Sequence, residues 1–255
     1  MSSDLYREFF KLLHRKVSWF APLLVLFMML AMGLSEGKSQ PQLLIMTNFA
    51  SSQVILLALV IVASSIFSME FQNKAILNVL YRSPNKFQVF FSKLIVIFIY
   101  NVALHLITIL VTVILSLTPL IDKVSWTSVY QHHQSLLLNM FATVGIDLIT
   151  STFIISIIFM ISCMINSNAV VVTVNMIIIF MGAYVSYNFL LQNNHNLSGI
   201  LKWNPFNMVN LTQQYYNNAM ASDTKLSIEQ LIIATFLYTI LFLFAGYAIF
   251  RKKRF

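Results

Sequence analysis

Six stretches of this chain, 17–34, 50–69, 92–118, 136–164, 168–190 and 229–250, are apolar over about 18 residues or more. As a helix rising roughly 1.5 Å per residue, each is long enough to cross a hydrocarbon layer of ~30 Å. No water is present there to bond a free N–H or C=O, so the backbone has to satisfy itself, and a helix does so within one segment. The chain therefore reads as an all-α membrane protein with six transmembrane helices. Of its 255 residues 58% are hydrophobic and 9% charged, whereas a soluble domain carries roughly 25% charged residues. The third and fourth stretches exceed the thickness to be crossed and should tilt or protrude. Ile165-Asn166-Ser167-Asn168 between the fourth and fifth reads as a tight turn. The first stretch is followed by Glu36, Gly37 and Lys38 with no small-residue cleavage pattern, so it is expected to stay as an anchor. The single cysteine, Cys163, cannot form an intrachain disulfide.

An even number of spans puts both termini on one side. Arg7, Lys11, Arg15 and Lys16 precede the first span, Lys74, Arg82, Lys86 and Lys93 lie between the second and third, and Arg251, Lys252, Lys253 and Arg254 close the chain. That side holds twelve of the sixteen basic residues. The opposite loops carry Lys38, Lys123, Lys202 and Lys225, matched in number by Glu36, Asp122, Asp223 and Glu229. The positive-inside rule makes both termini cytoplasmic. It also accounts for the net charge of +8 without nucleic acid as a partner.

Residues 4–16 wind into an amphipathic helix. Leu5, Tyr6, Phe9, Phe10, Leu12 and Leu13 fall on one face at helical spacing, and Asp4, Arg7, Glu8, Lys11, His14 and Arg15 on the other. Such a helix lies in the cytoplasmic interface and leads into the first span as an elbow over residues 1–16, in contact with membrane lipid. The loop over 70–91 mixes polar and apolar residues without glycine and stays helix-compatible from Glu70 to Ser83, where Pro84 breaks it. Tied to a span at each end, it is a mechanical handle at the membrane edge.

The order Glu70-Phe71, Ile76-Leu77, Arg82-Ser83-Pro84-Asn85-Lys86 and Lys93 resembles the ABC-2 type permeases. In that family an acidic-aromatic pair opens a cytoplasmic coupling helix, and a proline turn precedes the third span. The likeness extends over the elbow, the six-span domain of 17–255 and the external segment 191–228. There Trp203-Asn204-Pro205-Phe206-Asn207-Met208-Val209 is similar to the family's proline-containing re-entrant helix. The chain departs from the family at Asn73-Lys74-Ala75, where Gly-Thr is common.

The resemblance implies a half-transporter: two permease subunits pair, as a homo- or heterodimer, and two cytoplasmic ABC ATPase subunits dock below. The docking residues it implies are Glu70, Phe71, Lys74, Ile76, Leu77, Leu80, Tyr81 and Arg82, with Glu70 and Phe71 at the centre. It also implies a place in the bacterial cytoplasmic membrane. The full phosphate-cradling pattern G-x-x-x-x-G-K-[ST] does not occur in the chain (Gly37-Lys38-Ser39 has Met32 where the first glycine would stand), so ATP and Mg²⁺ are expected on the partner, with no cofactor on the permease itself.

Two intramembrane groups stand apart. Asp147 is the only acid expected to be buried within a predicted span, and a charge there costs at least ~2.5 kcal/mol. It reads as an ion, proton or cationic-substrate site, or as a hydrogen-bonded packing residue beside Thr143 or Ser151. His105 in the third span is placed to approach it across a helix interface. Gly145, Thr150, Ser151, Thr152 and Ser156 suit close helix packing or a substrate-lining seam. His132 and His133 are adjacent, do not share a helix face and have no nearby acid or cysteine, so no metal site is expected. No G-x-S-x-G or H-E-x-x-H pattern marks the chain as an enzyme. The expected function is ATP-driven export by alternating access of a hydrophobic or amphipathic peptide, antimicrobial or drug. The alternatives are a non-transporting assembly or sensory subunit, or a secondary transporter.

Overall fold

A computed structural model of the chain describes residues 2–82, 85–192 and 198–253. The helices are α1 (Ser2–Leu13), α2 (Lys16–Glu36), α3 (Pro41–Met46), α4 (Ser51–Gln72), α5 (Ile76–Arg82), α6 (Lys86–Ser116), α7 (Leu136–Met164), α8 (Asn168–Gln192) and α9 (Ser198–Leu201). A 3-10 helix over Pro205–Asn210, α10 (Leu211–Tyr216), α11 (Met220–Thr224) and α12 (Ile228–Lys252) complete the order. Among the described residues no strand forms, and six helical units are long and apolar enough to cross a membrane. They match the six expected stretches, with two displaced boundaries.

The second unit begins at Pro41 rather than near residue 50, because α3 runs into α4 through a tight joint. Asn48, Phe49 and Ala50 take left-handed conformations, with φ of 50°, 57° and 54°. Each such non-glycine residue costs roughly 1 kcal/mol, and burial holds them there. The Phe49 ring fills the space beside Gly33, and the Asn48 side-chain Oδ1 accepts from Thr112 Oγ1 at 3.1 Å. The third unit begins at Lys86, capped by Asn85, whose side chain accepts from Phe87 N at 3.0 Å. Lys93 therefore lies about two turns inside α6 and is wholly buried, which corrects its placing among the basic residues between the spans.

Burial separates the spans into two classes. The apolar windows of α4 and α7 are 72% and 67% buried, against 17–33% for the other four, so these two form the centre and the rest present a face to lipid. α7 packs along α12 and α4, and α4 packs against α8 and α2. α12 approaches α7 closely at Met160, whose Cα lies 3.2 Å from where a side chain on Gly246 would begin. Gly145, expected to serve this purpose, is exposed and faces nothing within 4 Å. The fourth span does pack closely, with Ser151 and Ser156 fully buried, but the glycine at its close approach to α12 is Gly246 rather than Gly145.

At one end of the bundle Phe67, Phe90, Phe159 and Phe250 are fully buried around one another, with centroid separations from Phe67 of 5.2–5.7 Å. Lys253 donates to the Cys163 carbonyl at 2.8 Å, and Lys86 to the carbonyls of Arg251 and Lys253 at 3.0 Å. The chain's last described residues, the α7–α8 turn and the start of α6 thus meet at the end that also carries α1, the terminal end of the bundle. The short turn at 165–167 is pinned to α4 through Gln72 and Ser68, which reach Asn168 at 3.0 and 2.6 Å.

Replacing Gly246 with leucine should lower the detergent unfolding midpoint by several degrees, since Met160 backbone cannot retreat. Gly145→Ala should leave it unchanged or slightly raised, because it meets nothing and gains helix propensity. Differential scanning fluorimetry of the two purified variants reads both outcomes.

Candidate functional site

Two polar constructions interrupt the apolar bundle. The first is at the terminal end, where the sequence placed a coupling loop. Glu70 and Phe71 occupy the last turn of α4 rather than opening a separate helix. The expected continuous helix from Glu70 is broken at Asn73–Ala75: Asn73 caps α4, Lys74 turns left-handed with φ 54°, and α5 starts at Ile76. Lys74 thus holds a conformation that glycine takes without strain, at the place where the chain lacks the expected Gly-Thr. Ser83 and Pro84, the expected helix break, lie outside the described residues.

Glu70 faces inward. Lys11 of α1 donates to its Oε1 at 2.7 Å, and Lys93 of α6 lies 2.8 Å from its Oε2. Glu8, one turn before Lys11, takes the other contact of each lysine, at 2.5 Å from Lys11 and 2.9 Å from Lys93. Two acids and two bases alternate in a closed ring joining α1, α4 and α6. The Lys93 side chain is wholly buried and sits 5.4 Å from the Phe67 ring centroid. Burial works against the charge on Lys11, but the carboxylates of Glu70 and Glu8 outweigh it and hold its pKa above the usual lysine value. On α1, therefore, part of the polar arc faces protein. Glu8 and Leu12 are buried, while Tyr6, Phe9, Phe10 and Leu13 are exposed.

The loop residues separate into anchors and surface. Phe71 packs on Phe67 and beneath the Lys253 ammonium, 4.1 Å from its ring centroid. Ile76 is buried and Leu80 half-buried, whereas Lys74, Leu77 and Tyr81 are exposed, Tyr81 by 91%. Arg82 ends α5, and its side chain is not among those described. A cavity of about 490 Å³ between α1, α5 and α6 is lined by Arg7, Lys11, Asn78 and Tyr81 among others. Glu8, Lys11 and Lys93 were missed as a unit. The available signal was Lys93 directly after Phe90-Phe91-Ser92 and before an apolar run, where an unpaired charge is expensive.

The second construction surrounds Asp147. His105 Nε2 lies 2.9 Å from Asp147 Oδ2, and its Nδ1 lies 2.9 Å from the Asn101 carbonyl. The pairing proposed from sequence is present, so Asp147 is not a lone acid, and with Glu70 it is not the only buried acid within a spanning unit. Thr212 Oγ1 approaches Asp147 Oδ1 at 3.0 Å and Thr150 Oγ1 at 2.8 Å. Asn101 donates to Ser151 at 2.7 Å, extending the polar seam between α6 and α7. Thr143 bonds its own helix at Asn139 O and does not join Asp147.

Thr212 arrives because the segment before α12 folds back into the bundle. Asn204 caps the 3-10 helix by accepting from Asn207 N at 3.1 Å, with Pro205 in its first position. Gly182 on α8 leaves room for the Phe206 ring, and Met208 and Leu211 are fully buried. His132 and His133 lie apart from this site; His132 stacks on Tyr215 at 4.5 Å and bonds its carbonyl at 2.8 Å.

Removing one member of the charge ring leaves another uncompensated in a dry site. Lys93→Met should cost about 3 kcal/mol or more, seen as a large drop in unfolding midpoint, while Tyr81→Ala should leave that midpoint unchanged. The contribution of Lys11 is complete below its unfolded value near 10.5 and is lost as pH rises through its higher folded value. A stability profile flat from pH 7 to 10 and falling above that checks the sign.

A search of curated proteins returns no match. The family model described as ABC-2 family transporter protein matches residues 5–182, which takes in α1, the charge ring, α5, His105 and Asp147 but stops before Thr212. That family is the transmembrane component of ABC transporters and has no ATPase site of its own. The chain belongs to the ABC-2 transporter family, as a multi-pass ABC-type permease.

Proposed function

We propose that this permease is an exporter subunit driven by cytoplasmic ABC ATPase subunits that dock on α5. A second permease subunit completes the membrane half, ATP and Mg²⁺ reside on the ATPase, and cargo moves outward by alternating access. The terminal end is then cytoplasmic, as the distribution of lysine and arginine requires, in a bacterial cytoplasmic membrane. The cargo is a hydrophobic or amphipathic peptide, antimicrobial or drug.

The observation that carries the reading is α5 itself. It is seven residues long, exposes Leu77 and Tyr81, and hangs between α4 and α6, which the charge ring clamps together. An exposed tyrosine and leucine on so short a helix suit a protein partner better than water. Pressure on α5 would pass to both helices at once. Within this scheme Glu70 and Phe71 act from behind the docking surface, holding α5 in place, and Lys74, Leu77 and Tyr81 touch the ATPase.

The test is co-expression with an ABC ATPase encoded beside the permease, followed by co-purification and ATP turnover. Leu77→Ala/Tyr81→Ala should weaken the complex by about 30-fold, the loss of a central interface anchor, with an unchanged unfolding midpoint. A complex unaffected by that pair would remove α5 as the docking surface. If no ATPase binds the wild-type chain, the assembly or sensory reading replaces the exporter.

A further inference from the structure

Two cavities of about 210 Å³ each adjoin at the end of the bundle opposite the termini, sharing Ala183, Asn210 and Gln213 in their walls. Asp147 lines the inner one and Asp223 the outer. Among the described residues neither is lined by a lysine, arginine or histidine. The nearby Lys225 ammonium is engaged elsewhere, donating to the Leu190 carbonyl at 3.0 Å. His105 stands behind Asp147, outside the wall, and occupies only Oδ2. With Thr212 on Oδ1, a carboxylate that can accept about four hydrogen bonds keeps roughly two free.

The rest of the inner wall is unusually short of partners. Among the described residues the side chains of Ser52, Gln53, Asn210 and Gln213 and the hydroxyl of Tyr216 make no hydrogen bond. Asn210 is 6% exposed and lines both cavities, so what its amide can reach is the cavity space. A buried amide normally finds a partner, and Asn210 is the buried member of this set; Gln53 and Gln213 are exposed, and Ser52 and Tyr216 half-buried, along the cavity wall. Such a wall is built for an occupant that brings its own hydrogen bonds. Amide and hydroxyl oxygens around one carboxylate, with Phe180 and Tyr216 beside it and Tyr184 and Tyr187 lining the outer cavity, select a cation by charge, by acceptors and by aromatic faces.

We propose that this acidic trough is a binding subsite for an ammonium or guanidinium group of the transported molecule, with Asp147 as its counter-charge and Asp223 at its mouth. The inner cavity is smaller than the 300 Å³ or more that a drug-sized ligand takes. It fits one amino-alkyl or guanidino-alkyl arm, and the remainder of the cargo lies outside it. The assignment deepens the transport reading by giving the cargo a positive charge, and it is testable with no ATPase present.

The test places a reporter thiol at Ala183, which lines both cavities without contributing a polar group, in full-length chain carrying Cys163→Ala. Its modification by a trimethylammonium-ethyl thiosulfonate and by the sulfonate-ethyl counterpart is timed in detergent, each rate divided by that for a free thiol. The cationic reagent should be favoured about tenfold, as expected for one charge within several Å in a partly desolvated site. n-Butylammonium should slow the labelling severalfold, and n-butyramide at the same concentration should not. Asp147→Asn should abolish both effects. Equal normalised rates, a thiol that neither reagent reaches, equal protection by the neutral amide, or a preference that survives Asp147→Asn would each overturn the proposal. If Asp147→Asn fails to elute as a folded species, the butylammonium and butyramide comparison in the chain with native Asp147 decides alone.

Discussion

The buried ring of Glu8, Lys11, Glu70 and Lys93 fixes how this bundle can be put together. Each lysine touches both acids, so no member can leave without exposing a neighbour as an unpaired charge. Such a ring adds less net stability than hydrophobic packing of equal volume, because every charge has first to be stripped of water. What it supplies is registry. α1 can dock on α6 only where Glu8 meets Lys93, and α4 can end only where Glu70 meets both lysines. The left-handed Lys74 and the start of α5 follow from that fixed end.

Lipid as solvent explains most of the remaining arrangement. The spans differ little in hydropathy, from 2.1 to 2.6, yet their burial ranges from 17% to 72%. Apolarity therefore cannot say which helix is central. The distinction lies in polar side chains, which lipid will not accept and which seek each other. Asn175 reaches Ser64 at 3.0 Å, Ser68 reaches Asn168 and Asn101 reaches Ser151, and each bond fastens a neighbouring helix to α4 or α7. Apolar surface is interchangeable in a membrane; these few contacts are not.

The six spans, the short α7–α8 turn and the Asp147–His105 approach were legible because each rests on a local rule: length of an apolar run, a polar interruption too short to leave the membrane, a charge in lipid that needs a partner. The ring was not legible, because its members stand far apart in sequence and each had a satisfactory local explanation. Glu8 and Lys11 completed the polar arc of an amphipathic helix, and Lys93 flanked a span. Gly145 and Gly246 show the same limit from the other direction. Both are glycines in apolar helices, and only the packing of α12 on Met160 tells which one a neighbour depends on. The recess at Asp147 needed the fold-back of residues 204–216, which no periodicity in that stretch announces.

The two polar constructions share their helices. α4 carries Glu70 and Phe71 at the terminal end and Ser52 and Gln53 in its first turn, at the cavity, about 27 Å away along one uninterrupted helix. α6 carries Lys93 in the ring and His105 behind Asp147, about 18 Å apart by the same rise. The ring makes these helices one body at the end where α5 hangs, and at the other end they hold two sides of the acid's surroundings. A displacement applied at α5 would therefore move the cavity wall that bears Gln53 and the imidazole that occupies Asp147 together. α7, which supplies Asp147, is held by α12 through the close approach at Met160 and contributes no member to the ring. The carboxylate thus rides on a helix outside the ring, while Gln53 and the imidazole ride on helices that the ring joins. Under the proposed docking and cation subsite, movement of α4 and α6 against α7 would change how a cation is held.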